Sequence, residues 1–558
     1  MKKILLVLLA LLILLAIGAA IFFKGDTQNP YQDVAWGRFS GTCATEEAPD
    51  KDFGKKFHSC DYSVPKEEIP VFKSVKFPFS NEYASDKTLP LMAAAMIDVD
   101  NDGVDEVFVG GGLGQSDGLY AYTDGGFTAS SFTLPATPEN TSTYGAVSFD
   151  LDNDGNTDLF LSTNTGLYWY KNTGSGFESS KVAIPFNENS ICAGVTFGDI
   201  NRDGHADMYV SNYIKKNLME GQTIFKDPTY GATSLVMINR GDNTFEDATE
   251  RMGMTYIHNT FMGIFVDVDK DGWLDLVVAH DTGEVRTYKN EGGQKFTMKT
   301  NPTTGKYGYP MGIAVGDYDN NGNIDFFFSN TGTSVPEFLA RGDLEKEDVY
   351  YKEWLLFSND GNFNFTDAAK ATKVADFEFS WGAIFEDFNL DGRQDLVVAE
   401  NYVDFPPHKL FKLPGRFLVQ RPTGTFAAVE DQAGAINKNY GIAPLSSDFN
   451  QDGYPDLAFS NLDGPFRVLL NEGGDANYIA VRLPENAKYV GATITVTKND
   501  GTTLTDVYVI GEGLGSDQTA TITFGLGADT QVSSIQLALS DGSTQTIPNP
   551  RVNAVNTI

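Results

Sequence analysis

Short apolar runs alternate with polar, glycine-containing turns along most of this chain. Runs such as EVFVG, DLFLS, DLVVA and DFFFS are apolar on consecutive residues, which is typical of strands buried on both faces. Each of them follows a loop rich in Asp and Asn, and another β-prone run, such as GAVSF or GIAV, precedes that loop. Later lines such as LYWYKNTGSGFE predict two more strands joined by a Gly/Asn turn. The pattern therefore predicts repeated units of four strands.

The loop rich in Asp and Asn occurs seven times, and successive copies begin 49 to 70 residues apart. This spacing is typical of a supersecondary repeat with variable insertions. Four strands in each of seven units predict an all-β chain folded as a seven-bladed β-propeller. In most units a small residue stands five positions before the first Asp, where it would let the innermost strands crowd around an axis. These small residues include Ala93, Gly145, Gly194, Gly312 and Gly382.

Within the loop, residue types recur by position. Positions 1, 3 and 5 always hold Asp or Asn, position 6 is always Gly, and position 9 is Asp except for Glu106. A sharp turn at position 6 suits glycine, and the free choice of residue at position 7 is what a backbone carbonyl ligand would show. Crowded hard oxygen ligands select Ca²⁺, and the lack of nitrogen and sulfur ligands disfavours zinc. The absence of a Glu at position 12, which is apolar in every copy, excludes an EF-hand.

The sequence thus predicts up to seven calcium sites. The predicted ligands are Asp98, Asp100, Asp102, Val104 and Glu106; Asp150, Asp152, Asp154, Asn156 and Asp158; Asp199, Asn201, Asp203, His205 and Asp207; Asp267, Asp269, Asp271, Trp273 and Asp275; Asp317, Asp319, Asn321, Asn323 and Asp325; Asp387, Asn389, Asp391, Arg393 and Asp395; and Asp448, Asn450, Asp452, Tyr454 and Asp456. The alternative for an individual copy is an ion-free Asx turn held by its own hydrogen bonds. Because Asn321 replaces Asp at position 5, we expect the loop at Asp317 to bind calcium more weakly than the loop at Asp150.

The chain is strongly acidic, with a formal net charge of −34 from 41 Lys and Arg against 75 Asp and Glu, which argues against a nucleic-acid partner.

After two N-terminal lysines, residues 4–23 carry no charge, which predicts a membrane-spanning signal anchor with a cytoplasmic N-terminus. Small residues at 18–20 leave a cleaved signal peptide open as the alternative. In either case the bulk of the chain is predicted to be periplasmic or extracellular, where Cys43 and Cys60 could form a disulfide.

The repeat, with its D-x-[DN]-x-[DN]-G-x-x-[DE] loop and a following NxGxxxF, resembles the FG-GAP/VCBS repeat of integrin α-chain propellers and their bacterial relatives. Residues 477–558 resemble the ASPIC/UnbV domain that follows such a propeller in cartilage-acidic-protein-like proteins. The stretch FGLG at 524–527 carries this likeness, whereas LALS at 537–540 replaces the usual tryptophan-proline stretch. The resemblance implies calcium-binding propellers at cell surfaces, often for adhesion. The predicted organisation is a signal anchor over 1–24, an extension over 25–84, a propeller over 85–475 and a small β domain over 476–558.

Three functions are compatible with this organisation. The first is a membrane-anchored adhesion module that binds an extracellular or envelope protein or glycan; the others are a secreted polysaccharide-acting enzyme and a ligand-free envelope scaffold. An enzyme is disfavoured because the chain has five histidines, no HExxH motif and no nucleophile elbow, with His280-Asp281 as its one catalytic-looking pair. Residues predicted to circle one mouth of the channel, where they would suit sugar or peptide contacts or else pack between blades, are Met92, Tyr144, Met262, Met311, Trp381 and Tyr440.

Overall fold

The computed structural model describes residues 61–558 apart from residues 62, 86, 220–229, 333–340, 343 and 403–412. The predicted signal anchor and the Cys43–Cys60 pair lie outside these described residues. In the part of the chain that is described, none of the helices has the length and apolar character needed to cross a membrane.

The fold is all-β, and its repeat region forms antiparallel sheets of four strands that we number 1 to 7. The first strand is β1 (Phe72–Val75); sheet 1 contains β2 (Ala94–Ile97), β3 (Glu106–Val109), β4 (Gly118–Thr123) and β5 (Gly126–Ala129), and sheet 2 contains β6 (Thr143–Phe149), β7 (Asp158–Thr163), β8 (Gly166–Asn172) and β9 (Phe177–Lys181). Sheet 3 contains β10 (Ser190–Gly198), β11 (Asp207–Ile214), β13 (Leu235–Asn239) and β14 (Phe245–Asp247), with β12 (Ala232–Thr233) and β15 (Ile257–His258) as a separate pair, and sheet 4 contains β16 (Thr260–Val266), β17 (Asp275–His280), β18 (Arg286–Asn290) and β19 (Phe296–Lys299). Sheet 5 contains β20 (Ile313–Gly316), β21 (Asp325–Phe328), β22 (Leu355–Asn359) and β23 (Phe365–Asp367); sheet 6 contains β24 (Ser380–Glu386), β25 (Asp395–Glu400), β26 (Arg416–Gln420) and β27 (Phe426–Ala428); and sheet 7 contains β28 (Tyr440–Ser447), β29 (Asp456–Leu462) and β30 (Arg467–Asn471). Helical segments are short: 3-10 turns at Lys66–Glu68 and Lys216–Leu218, and the α-helix Glu430–Ala433.

The first strands of the sheets pack side by side around a common centre. Strand β28 contacts both β24 and β2, so that the last sheet meets the first. The fourth strand of sheet 7 is β1, which pairs antiparallel with β30. The predicted N-terminal extension therefore supplies a strand to the repeat region. The small residues on the first strands are needed for space, because a Cβ on Gly312 would lie 2.4 Å from the Trp381 carbonyl oxygen and one on Gly382 would lie 2.7 Å from that of Ile442.

The C-terminal region forms a second β unit. Its strands are β31 (Asn477–Arg482), β32 (Thr493–Lys498), β33 (Thr503–Val507), β34 (Ser516–Asp517), β35 (Thr521–Gly527), β36 (Val532–Ala538), β37 (Thr544–Ile547) and β38 (Val555–Thr557). Seven of them form a three-stranded sheet in the order β35-β31-β38 and a four-stranded sheet in the order β33-β32-β36-β37. The eighth, β34, pairs parallel with β2 and adds a fifth strand to sheet 1. One hydrophobic cluster joins this unit to sheets 2 and 3, with Phe149 and Phe197 on one side and Ile479 and Ile535 on the other.

Residues 509–518, which we call the channel segment, run from the C-terminal unit into the centre of the ring. The carbonyl oxygen of Gly515 accepts hydrogen bonds from the backbone N–H groups of Ala94 and Ala146, at 3.2 and 3.3 Å. Gly513 exchanges two backbone hydrogen bonds with Ile313, at 3.2 and 3.0 Å. The Thr196 hydroxyl donates to the Ile510 carbonyl at 2.8 Å.

Side chains of the channel segment extend these contacts. The Glu512 carboxylate accepts from the Val315 N–H and the Asp517 carboxylate from the Ser148 N–H, both at 2.8 Å. The Gln518 side-chain carbonyl accepts from the Ser446 N–H at 3.0 Å. The channel segment thus pairs with backbone groups at the inner edges of four first strands, β2, β6, β20 and β28, and with the Thr196 hydroxyl of a fifth, β10.

We predict that Gly515→Ala destabilises the fold more than Gly501→Ala does. Both glycines have positive φ angles, +63° and +88°, so each alanine incurs the cost of a left-handed backbone, about 1–2 kcal/mol. An added Cβ meets no atom within 4 Å at Gly501, whereas at Gly515 it would lie 2.4 Å from the Tyr144 carbonyl oxygen. Urea unfolding followed by tryptophan fluorescence measures the difference. Equal midpoints for the two variants would contradict the placement of the channel segment.

Candidate metal centres

The seven Asp-rich loops, numbered by sheet, join the first and second strands and share one hydrogen-bond pattern. In loop 2, the two carboxylate oxygens of Asp150 accept the N–H groups of Asp154 and Gly155, at 3.2 and 3.0 Å. The Asp154 carboxylate accepts the N–H of Asn156 at 2.9 Å. The bonds from positions 5 and 6 to position 1 occur in every loop at 2.7 to 3.2 Å, as does the bond from position 7 to position 5. The side chains at positions 1 and 5 therefore shape the turn.

Two residues of each loop have a left-handed backbone. The glycine at position 6 has φ between 84° and 91°, which explains its recurrence. A Cβ on Gly103, Gly155 or Gly204 would meet no atom within 4 Å, so the glycine serves the backbone angle rather than a lack of space. The residue at position 4 has φ between 54° and 60°, which sequence reasoning missed because no single residue type marks it. Position 4 is held by Asn101, Asn153, Arg202, Lys270, Asn320, Leu390 and Gln451.

An asparagine at the end of the third strand ties each of several loops to the preceding one. The backbone N–H of Asn359 donates to the position-9 carboxylate of Asp325 at 2.7 Å, while its side-chain amide donates to the Val268 carbonyl oxygen of loop 4 at 3.0 Å. The same crossing bond to position 2 of the preceding loop is made by Asn172, Asn290, Gln420 and Asn471. An NxG stretch after the third strand marks the four asparagines in the sequence, but not Gln420, and the bridging role of all five residues depends on the neighbouring sheet.

Carboxylates converge in loops 1, 2, 4 and 5. Oxygen atoms lying within 4.8 Å of one another come from Asp98, Asp100 and Asp102; Asp150, Asp152 and Asp158; Asp267, Asp269 and Asp271; and Asp317, Asp319 and Asp325. Loops 3, 6 and 7 have Asn at position 3 and do not form such a three-carboxylate group among the described residues.

Four carboxylate oxygens at positions 3 and 9 of the loops are buried and have no hydrogen-bond partner among the described residues. They are Asp152 Oδ1, Asp269 Oδ1, Asp325 Oδ2 and Asp395 Oδ2. A buried carboxylate oxygen without a donor is unfavourable unless a cation meets it. The residues present therefore fit a hard divalent cation, which carboxylate, amide and carbonyl oxygens would hold.

The raised pKa values of several loop carboxylates also favour a cation site. Burial, followed by the nearby charge of Asp319, raises the pKa of Asp325 to about 9. Burial raises the pKa of Asp158 to about 7 and those of Asp207 and Asp456 to about 8, with neighbouring loop carboxylates adding to each shift. Without a cation, these groups hold protons near neutral pH because their charged forms are poorly solvated and repel one another.

The C-terminal unit contacts several of the loops, among them loops 1, 2 and 6. The Arg482 guanidinium lies 3.0 Å from Asp98 Oδ2 at position 1 of loop 1. The Glu485 carbonyl accepts the N–H of Asp150 at 2.7 Å, and the N–H of Gly525 donates to Asp387 Oδ2 at 3.1 Å. A Cβ on Gly525 would lie 2.2 Å from that oxygen, which explains the first glycine of the FGLG stretch. Sequence reasoning recognised this stretch but not its place against loop 6.

The six residues predicted to circle the channel mouth belong to the largest apolar region of the molecule, not to an open surface. Met92, Tyr144, Met262, Met311 and Trp381 are buried, and the half-buried Tyr440 packs against the same cluster. The channel segment adds Leu514 to this cluster. The prediction of a ligand-binding ring is therefore corrected: these side chains pack between sheets, the alternative that the sequence left open.

His280 and Asp281 have separate partners. The His280 ring nitrogens lie 3.0 Å from the Glu284 carbonyl oxygen and 3.3 Å from the Tyr256 hydroxyl. The Asp281 carboxylate accepts from the Tyr213 hydroxyl. Among the described residues, no hydrogen bond joins His280 to Asp281, so the two do not form a dyad in this structure.

We predict that Asn359→Ala lowers stability by about 2–4 kcal/mol, because it leaves the buried Val268 and Ile324 carbonyl oxygens without their side-chain donor. The matched control is Asn323→Ala in loop 5, because the Asn323 side chain makes no hydrogen bond among the described residues. This substitution is expected to lower the free energy of unfolding by less than about 0.5 kcal/mol. The midpoints of urea unfolding curves measure the loss of stability in both variants. Similar losses for the two variants would contradict the bridging role.

We predict that the calcium-free protein becomes less stable as the pH rises from about 5 to 9. The pKa values of Asp158, Asp207 and Asp325 are raised in the folded chain, so protonation stabilises the fold at low pH and this stabilisation is lost as the pH rises through 7 to 9. Melting temperatures in EGTA at pH 5, 7 and 9 test the trend. The same series with excess calcium is the control, in which the decline should be absent. A melting temperature that rises with pH in EGTA would refute the prediction.

Comparison with known proteins finds two family models that match parts of the chain. The FG-GAP-like repeat model matches residues 98–161, 150–210 and 267–328, and the ASPIC and UnbV model matches residues 483–558. Among solved structures, the extracellular domain of the putative hybrid two component system BT3049 from B. thetaiotaomicron superposes with a TM-score of 0.39 at 10% identity, over 86% of this chain and 53% of that chain.

Two curated proteins named cartilage acidic protein 1 are similar to the chain. The Xenopus tropicalis protein is 23% identical over 422 residues, which cover 62% of this chain and 62% of that protein, less than two thirds of its length. The Mus musculus protein is 23% identical over 519 residues, covering 85% of this chain and 74% of that protein. The resemblance predicted from the sequence is thereby confirmed: the chain carries FG-GAP-like repeats followed by an ASPIC/UnbV domain, and it is similar to cartilage acidic protein 1.

Proposed function

We propose that this chain is an exported, calcium-binding, seven-bladed β-propeller that acts in cell-surface adhesion, binding an extracellular or envelope protein or glycan. Its N-terminal segment would anchor it in the membrane. The observation that carries the proposal is the set of seven loops of one hydrogen-bond pattern, whose buried carboxylates include oxygens without donors. The sheets of four strands, with β28 packed against β2, are the blades in this interpretation.

Calcium is the cation that the donor set favours. The side chains at positions 1, 3, 5 and 9 would hold it together with the backbone carbonyl at position 7, all through oxygen. Seven ions would change the formal charge from −34 to −34 + 14 = −20. The bound ion would supply the positive charge that the clustered carboxylates lack. The loop residues themselves hold the turn in shape through the bonds from positions 5 and 6 to position 1.

Adhesion is favoured over an enzymatic role by what the chain's own residues offer. The loops are rigid turns between strands, and the C-terminal unit covers part of their face through Arg482, Glu485 and Gly525. A partner would therefore bind surfaces other than this covered face. His280 is buried, Asp281 is half-buried and each has its own hydrogen-bond partners, which does not favour a catalytic site at that pair.

We predict that calcium raises the melting temperature of the full-length protein in detergent and that the protein binds at least one member of an array of polysaccharides and extracellular proteins. Each site filled at one hundred times its dissociation constant adds about 2.7 kcal/mol of stability. Melting and array binding are measured in calcium and in EGTA. Binding only in calcium supports adhesion. An unchanged melting temperature would rule out structural calcium, and an empty array with a calcium-stabilised fold would favour the ligand-free scaffold instead.

A further inference from the structure

Loops 2 and 4 each contain a lysine ammonium among their carboxylates. In loop 2, Lys171 Nζ forms an ion pair with Asp152 and lies 3.3 Å from Asp154 Oδ2. In loop 4, Lys289 Nζ forms an ion pair with Asp269 and lies 2.7 Å from a carboxylate oxygen of Asp271. Each ammonium therefore lies between positions 3 and 5, where a metal ion would share the same oxygens.

The two lysines occupy equivalent places in their sheets. Lys171 is the penultimate residue of β8 and Lys289 that of β18, and each directly precedes the asparagine that bridges to the preceding loop. Their ammonium groups reach the loop because the third strand runs beside the strand that begins at position 9. In the other sheets the equivalent residues are neutral: Ala121, Ile238, Ser358, Val419 and Leu470.

Loop 5 shows what the site is like without such a lysine. Ser358 donates a hydrogen bond from its hydroxyl to Asp319 Oδ2 at 2.9 Å. Among the described residues, Asp319 and the other two loop carboxylates form no ion pair. The fully buried Asp325 Oδ2 has no hydrogen-bond partner. An oxygen with no donor, together with two further carboxylates within reach, is left for a cation.

The carboxylate at position 9 also has an additional hydrogen-bond donor in loops 2 and 4 that it lacks in loop 5. In loop 2, Asp158 Oδ2 accepts a hydrogen bond from the indole N–H of Trp169 at 2.8 Å. In loop 4, Asp275 Oδ2 accepts from the Val268 N–H at 3.0 Å. Both oxygens have a donor, whereas the equivalent oxygen of Asp325 has none. At position 9, loops 2 and 4 thus have an internal donor that loop 5 lacks, while at position 3 a lysine meets one carboxylate oxygen and leaves Asp152 Oδ1 and Asp269 Oδ1 without a donor.

We propose that Lys171 and Lys289 are built-in cations that stabilise loops 2 and 4 in the absence of calcium and compete with it for their carboxylates. These two loops then bind calcium more weakly than loop 5, although each contains four aspartates at the ligand positions and loop 5 contains three. The ranking is the reverse of the one expected from carboxylate number. The inference rests on the proposed calcium binding and specifies which loops depend on it.

Full-length variants with exchanged residues test this proposal. Lys171→Ser and Lys289→Ser introduce the residue that loop 5 has at this place, and Ser358→Lys introduces the lysine into loop 5. Lys295→Ser, which removes an exposed lysine of the same charge from sheet 4, controls for net charge. Calcium binding is measured by titration against a competing chelator, and melting is measured in EGTA and in calcium.

Each lysine-to-serine variant is expected to strengthen one calcium site by roughly tenfold or more, since a repelling charge within about 4 Å is removed. Each should also melt at a lower temperature than the Lys295→Ser control in EGTA, and adding calcium should remove this difference in melting temperature. Ser358→Lys should weaken one site by a similar factor. If Ser358→Lys does not fold, the two lysine variants decide the question alone.

Two outcomes would overturn the proposal, and they are distinguishable. If the unaltered protein binds calcium and the Lys171→Ser and Lys289→Ser variants match the Lys295→Ser control in both affinity and melting, the lysines do not compete with calcium. If the unaltered protein and all variants bind no calcium, the proposed calcium binding itself is wrong.

Discussion

Each repeat depends on one aspartate, the residue at position 1 of its loop, which is buried or half-buried. This side chain must accept two N–H groups of its own turn while it lies among other carboxylates, and Asp387 accepts a third from Gly525. The same bonds that shape the turn thus concentrate negative charge where solvent is excluded. Positive groups meet this charge in several ways: Lys171 and Lys289 from the third strands, and Arg482 from the C-terminal unit.

The repeat region and the ASPIC/UnbV domain are structurally interdependent. They share a hydrophobic cluster, and the channel segment supplies hydrogen-bond partners to the first strands of five sheets. The channel of this molecule is therefore filled by its own C-terminal region. Its glycines allow this, because Gly511, Gly513 and Gly515 all have positive φ angles that bring their backbone close to the inner strands.

The sequence predicts the parts that repetition makes visible. Seven similar loops, the glycine at position 6, the small residues on the first strands and the apolar second strands are local patterns, and the structure has each of them. What could not be predicted depends on the neighbours of a residue in space. The bridge from Asn359 to Val268 joins two sheets, and the exclusion of solvent around Trp381 follows from ring closure. In the sequence, Lys171 and Lys289 cannot be distinguished from ordinary surface residues of amphipathic strands. Only the strand register in the structure shows that their ammonium groups lie over a loop.

The pairing of β1 with β30 has a consequence for how the molecule is made. The outermost strand of sheet 7 is the first strand of the described part of the chain, and its partner ends at Asn471, almost four hundred residues later. A chain emerging from its N-terminus can therefore fold its hairpins early, since these are local, but it can close the ring only after the last repeat has emerged. Until then β1 and the inner strand edges lack their partners, and such edges pair readily with other chains. Until the whole chain is available, the repeat region is therefore exposed to aggregation through its open sheets, and folding is complete only when the C-terminal region fills the channel.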